Sequence, residues 1–261
     1  MNKKIWAYRG FILGNVRREF EARYRNSLLG SLWSIVQPLS MIVVYTFIFS
    51  NIMSARLTGV DSSFAYSIYL CVGTLTWGFF SEITSRAQTV FIENANIIKK
   101  LNFPRICLPV IVVLNAGLNF FIFFSLFTIF LALTGNFPGW VYLGMFPLLL
   151  LEVAFAIGLG VTLGVLNVFF RDVSQLFSVL LQFWFWFTPI VYPIDILPES
   201  VRLWVKYNPM ATLISAYQDI FSLRFWPNWE ALWPLALLAF LFLLVGYTVF
   251  RKLSIEMVDE L

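Results

Sequence analysis

Three sets of polar and aromatic residues recur at helical spacing in otherwise apolar sequence. Ser27, Ser31, Ser34, Met41, Tyr45 and Phe49 fall on one face, with Pro38 among them. Tyr66, Tyr69, Gly73, Trp77, Phe80, Ser81, Thr84 and Gln88 form a second stripe, and Gln175, Ser178, Gln182, Trp186 and Pro189 a third. Each stripe offers flat rings and hydrogen-bonding groups without fixed charge. Sugars present C–H faces that stack on rings and hydroxyls that need neutral partners, so such a surface suits a glycan. The same residue types also serve helix packing and interfacial aromatic belts. Three stripes together favour a shared polar pathway. Its candidate lining residues are Ser34, Tyr45, Phe49, Tyr69, Trp77, Phe80, Ser178, Gln182 and Trp186.

Other chemistry is sparse. The chain has no histidine, which removes the commonest general base, metal ligand and proton relay. No GxxxxGK run followed by Ser or Thr occurs, so no P-loop is expected and ATP should bind elsewhere. No zinc-ligand spacing or Ser-His-Asp set is present, so no catalytic, cofactor or metal residue is expected. Cys71 and Cys107 fall at opposite membrane depths and read as packing residues. Glu152 is the one acid well inside an apolar run, and an ionisable residue within a membrane is by default a functional hypothesis. If its helix starts nearer Pro147, Glu152 instead sits at the outer interface. Gly160 and Gly164 form a small-xxx-small pair, read as helix packing.

The elements that must position these residues are membrane helices. The chain is 60% hydrophobic and 12% charged, with a mean hydropathy of +0.81. Soluble domains carry about 25% charge. A helix needs about 20 apolar residues to cross a bilayer core. Uncharged runs predict an all-α, polytopic protein with six spans, at about 29–53, 65–86, 106–133, 141–170, 174–192 and 231–250. About 30 polar, charged residues precede the first run, so no cleaved signal peptide is expected. Fourteen of the 18 Lys and Arg residues fall on the side of the termini, and only Arg56, Arg202, Lys206 and Arg224 on the other. The positive-inside rule puts both termini in the cytoplasm. The basic balance thus reflects orientation, and no nucleic-acid partner is inferred.

Residues 1–27 predict an interfacial helix lying against membrane lipid, with Ile5, Ile12, Leu13, Val16 and Phe20 on one side. Residues 90–103 predict a short amphipathic cytoplasmic helix around Ile92, Ile97 and Ile98. Residues 193–229 hold six charges and are divided by Pro193, Pro198, Pro209 and Pro227, which predicts a re-entrant or interfacial helical hairpin between spans five and six. The whole of 1–261 reads as one transmembrane domain.

Four motifs, in order, carry a family resemblance. They are Arg23-Tyr24-Arg25-Asn26-Ser27-Leu28-Leu29-Gly30-Ser31-Leu32-Trp33 with Gln37-Pro38-Leu39; Asn96-Ile97-Ile98-Lys99-Lys100-Leu101-Asn102-Phe103-Pro104-Arg105; Phe170-Arg171-Asp172-Val173; and Thr188-Pro189-Ile190-Val191-Tyr192-Pro193 with Asn208-Pro209-Met210 and Ala216-Tyr217. The chain resembles the permease subunit of ABC-2-type polysaccharide exporters, the Wzm-like O-antigen and group 2 capsule permeases, with teichoic-acid permeases as relatives. The resemblance implies a transport subunit and not an enzyme, in the bacterial inner membrane. It implies a homodimer working with two copies of a separate ATP-binding cassette subunit, which would carry ATP and Mg. Segment 90–103 would dock on that subunit through Glu93, Asn94, Asn96, Lys99 and Lys100. Hairpin 193–229 would be a periplasmic gate, and the stripes would line a channel for a lipid-linked polysaccharide. Scarce cations within the spans favour a neutral glycan such as an O-antigen. Capsule, teichoic acid and a small drug or lipid cargo are the alternatives.

Overall fold

The computed structural model describes residues 8–23, 25, 27–48, 64–100, 103–254 and 256–261. The described residues form eleven α-helices, short 3-10 and π turns and no strand. In chain order the helices are α1 (Arg9–Arg23), α2 (Trp33–Tyr45), α3 (Ala65–Glu93), α4 (Ala95–Lys100), α5 (Cys107–Leu133) and α6 (Met145–Phe169). They continue as α7 (Asp172–Phe187), α8 (Glu199–Lys206), α9 (Pro209–Gln218), α10 (Trp233–Leu253) and α11 (Glu256–Glu260).

Four segments are long and apolar enough to cross a membrane: Gly30–Ile48, Cys107–Leu133, Gly139–Phe169 and Glu230–Leu253. They correspond to predicted spans one, three, four and six. The other two predicted spans fall on α3 and α7. With 29 residues α3 has ample length, but it carries Glu82, Arg86 and Glu93 in its second half. Sixteen-residue α7 measures about 24 Å at 1.5 Å per residue, short of a bilayer core of about 30 Å, because Thr188 turns extended and ends the helix.

The predicted boundary at residue 90 moves. Val90 and Phe91 are buried against Ile98, Val165, Val168 and Met257, so α3 continues to Glu93 before a break at Asn94. Asn94 Nδ2 donates to Val90 O at 2.8 Å, and Asn94 O accepts from Ile97 and Ile98, which starts α4.

The centre of the bundle is α6 against α3 and α10. In lipid there is little hydrophobic gain from joining helices, so close packing and satisfied polar groups hold them. Glycines permit the approach. A Cβ on Gly160 would lie 2.6 Å from Ala87 Cβ, and one on Gly164 2.5 Å from Ala87 O. Gly246 of α10 faces Gly158 O of α6 in the same way, at 2.9 Å. The pair Gly160 and Gly164 is therefore a packing device. Around it, α3, α5, α6 and α9 share the main core. Cys71 and Cys107 are both buried and unpaired, in separate clusters.

Helix α1 lies on the start of α5. Ile12 and Val16, one turn apart, are buried beside Cys107 and Ile111, and Phe11 packs on Phe103 with ring centroids 5.2 Å apart. The opposite face is exposed, and there Arg17 Nε donates to Glu21 Oε1 at 2.7 Å. That bond holds the Arg17 guanidinium above its usual range. In the predicted hairpin region, α9 is buried through Met210, Leu213, Ile214 and Tyr217, whereas α8 buries only Val205.

Candidate functional site

The two halves of α3 bring together most of the polar residues that could act. At its first turns, Tyr66 OH donates to Val191 O at 2.6 Å. Tyr69 OH lies 3.1 Å from Pro189 O and 3.2 Å from Tyr192 O. Gly73 leaves room for the same loop: a Cβ there would sit 3.1 Å from Gln218 Nε2 and 3.2 Å from Ile190 Cγ2. The 189–192 segment is thus pinned to α3 by phenols that bond backbone carbonyls.

Asn208 fastens the other side of that segment. Its Oδ1 accepts from Met210 N, capping α9, and from Trp184 Nε1 at 2.8 Å. Its Nδ2 donates to Phe187 O and Thr188 Oγ1. One amide therefore joins the end of α7 to the start of α9. Pro209 follows at the first helical position, where a missing N–H costs nothing. Further along α9, Tyr217 OH donates to Glu152 Oε2 at 2.8 Å. Both residues are wholly buried, and Glu152 Oε1 has no partner among the described residues. Glu152 is interior to α6 and not at its end.

At the second half of α3 the chemistry is ionic. Arg86 Nη2 pairs with Glu19 of α1, and Asn115 of α5 donates to the same carboxylate. Arg86 Nη1 lies 3.3 Å from Glu82 Oε1. Glu82 also accepts from Asn119 Nδ2 at 2.7 Å and meets Arg23 at 3.6 Å. Among the described residues, the ion pairs that join different helices are all in this cluster. A cleft of about 520 Å³ opens beside it, between α2, α3, α5 and the end of α1.

The predicted pathway residues separate into distinct places. Ser34 lines that cleft. Tyr45 is half-buried and packs on the main core. Tyr69 ties down the 189–192 segment. Trp77 and Phe80 lie inside a ring cluster. Trp77 stands 5.7 to 6.0 Å from Phe80, Phe185 and Trp184, and Phe80 stacks on Phe155 at 5.4 Å. Phe80 is wholly buried and faces no opening of the single chain. Ser178, Gln182 and Trp186 form an exposed ridge on α7 with Gln175. Phe49 lies outside the described residues.

The predicted docking residues form a compact group. Glu93 and Asn94 close α3, and Asn96, Lys99 and Lys100 stand exposed around α4 while Ile98 is buried. Sequence reasoning missed Glu19, Glu82, Asn115 and Asn119. The one local signal was Glu82 and Arg86 at i,i+4 within a predicted span, where charges are costly. Asn208 was seen only as part of a motif, and its role is visible only once α7 and α9 meet.

A family model described as ABC-2 type transporter matches residues 12–222, from α1 to the π turn after α9. The chain belongs to the ABC-2 type transporter family. It is 31% identical over 245 residues to the O-antigen export system permease protein RfbA of Klebsiella pneumoniae, covering 94% of this chain and 92% of that one. It is 30% identical over 262 residues to the protein of the same description from Myxococcus xanthus, covering 99% and 98%. The polysialic acid transport protein KpsM of Escherichia coli is more distant, at 18% over 238 residues and 90% of each chain. In this ABC-2 chain the matched region contains the ionic cluster, the Asn208 junction and the exposed α7 ridge. Among the α-helices of the described residues, α10 and α11 lie wholly beyond it. ABC-2 chains are membrane transport subunits.

Proposed function

We propose that this chain is the transmembrane subunit of an ATP-driven exporter that moves a lipid-linked polysaccharide, of the O-antigen type, from the cytoplasm to the periplasm. The observation that carries the reading is similarity along nearly the whole chain to two O-antigen export permeases. The exposed α7 ridge supports it. Gln175, Ser178 and Gln182 face outward from a single chain, beside Trp186 at 61% exposed. Polar groups left against lipid are costly, so the ridge is better placed against a second copy or a hydrated path. It carries amides, a hydroxyl and a ring but no charge, which suits a neutral glycan more than an acidic capsule.

In this reading α3 and α7 complete six spans, both termini are cytoplasmic, and residues 193–229 form a re-entrant gate on the periplasmic side. The protein acts in the inner membrane as a homodimer with two ATP-binding cassette subunits, which hold ATP and Mg. Those subunits dock on α4 and the flanking Glu93 and Asn94. When ATP closes them, α4 moves, and α3 transmits the motion because only Asn94 separates the two helices. At its far end, Tyr66 and Tyr69 pull on the 189–192 segment. Several weak stacking sites let a uniform polymer pass without being trapped at one of them.

The coupling step is tested by Lys99→Glu with Lys100→Glu. The variant should insert normally and lose export, and its copurified ATPase should no longer respond to glycan. Wild-type export in that variant would remove the docking assignment.

A further inference from the structure

The cleft beside the ionic cluster is a site in its own right. Its volume is about 520 Å³, and Ser34, Gln37, Ser81, Ser85 and Asn119 contribute polar groups to its wall. The side chains of Gln37 and Ser85 make no hydrogen bond among the described residues. Glu82, Arg86 and Arg23 also line it, with Arg23 3.6 Å from Glu82. Ile122 and Phe123 supply the apolar part.

The charges decide what fits. Arg23 and Arg86 are matched by Glu82 and Glu19, so the cluster is balanced. A phosphate would meet guanidiniums already neutralised by carboxylates, and a cation would meet carboxylates already neutralised by guanidiniums. A neutral polyhydroxyl group need displace only water. Carboxylate, guanidinium and carboxamide are planar groups, each able to make two parallel bonds to neighbouring hydroxyls. The Phe123 ring and the Ile122 alkyl chain in the same wall take the C–H face.

We infer that this cleft, lying within one chain and apart from the α7 ridge, holds one neutral sugar unit of the transported polymer. The inference rests on the exporter reading and adds a place where the glycan is held before it reaches the shared path.

The experiment is thiol protection at Ser85→Cys, in inverted membrane vesicles containing the full transporter with its ATPase partner. The native cysteines are buried and give a low background. Vesicles from cells that make the glycan should label at position 85 about fivefold more slowly than vesicles from cells unable to begin its synthesis, the factor for a ligand at about four times its Kd. Methyl hexosides in excess should slow labelling in the empty vesicles, and inorganic phosphate should not. Labelling at Lys252→Cys, on the exposed end of α10, should be the same in all. Equal labelling at 85 with and without glycan would overturn the site, and protection by phosphate alone would overturn the neutral-sugar assignment. Ser85→Trp, which fills the cleft, should abolish surface glycan while the chain still inserts and binds its ATPase. Normal export by that variant would also overturn the site. If the filled variant does not accumulate, labelling at 85 decides. Failure of the exporter reading is distinguishable, because loss of the gene would then leave surface glycan unchanged.

Discussion

The two ends of α3 are held by opposite chemistry. At one end Tyr66 and Tyr69 donate to backbone carbonyls of residues 189–192. At the other, Glu82 and Arg86 meet charged and amide side chains from α1 and α5. A phenol on a carbonyl is a modest bond of about 1 kcal/mol, insensitive to salt. A partly buried ion pair carries a desolvation cost that offsets much of its attraction, so it is weak evidence for stability. Breaking one partner is nevertheless expensive, because the other charge is left alone. The neutral end is therefore built to hold a segment in place. The charged end is built to have defined partners that can be exchanged.

The largest effect should come from Arg86→Ala, which removes the guanidinium that Glu19 and Glu82 share. Loss of one member of a buried pair costs about 3–5 kcal/mol. With the partners a quarter to nearly half exposed, solvent screening reduces this, and about 2 kcal/mol is expected from thermal unfolding in detergent. Arg86→Lys should recover part of it, since a single ammonium cannot place two nitrogens on two carboxylates. A loss as small as that of an exposed substitution would show that the cluster is not a fixed contact.

Comparable in size is Gly164→Ala. Its Cβ would meet the Ala87 carbonyl, and overpacking of this kind costs about 1–3 kcal/mol. Tyr69→Phe should cost about 1 kcal/mol and loosen residues 189–192, read as faster exchange of their amide hydrogens. The smallest effect is that of salt. Raising ionic strength should narrow the gap between wild type and Arg86→Ala and leave the Tyr69→Phe gap unchanged. Equal salt responses would erase the distinction between the two ends.

Much of the fold was legible because a bilayer penalises charge. The uncharged runs around α5, α6 and α10 each mark a helix, and the glycines 160 and 164 reveal a packed face. The ends of α3 and α7 were harder. Val90 and Phe91 continue the helix because a core forms there from Ile98, Val165 and Met257, residues distant in sequence. Periodicity also placed Phe80 and Ser34 on polar stripes. A stripe shows which residues share a face, but not what that face meets. Phe80 meets Phe155 and Trp184, whereas Ser34 meets an open cleft. Glu19 could not be matched with Arg86 from sequence, because 67 residues separate them and α1 has a mixed composition.

The most direct test of the exporter reading is deletion of the gene in the native cell, followed by separation of surface glycan from glycan held inside. Surface polymer should disappear and long, lipid-linked glycan should accumulate in the cytoplasm, with recovery on re-expression of the wild-type chain. Unchanged surface glycan with none trapped inside would contradict it and assign this ABC-2 chain to another cargo.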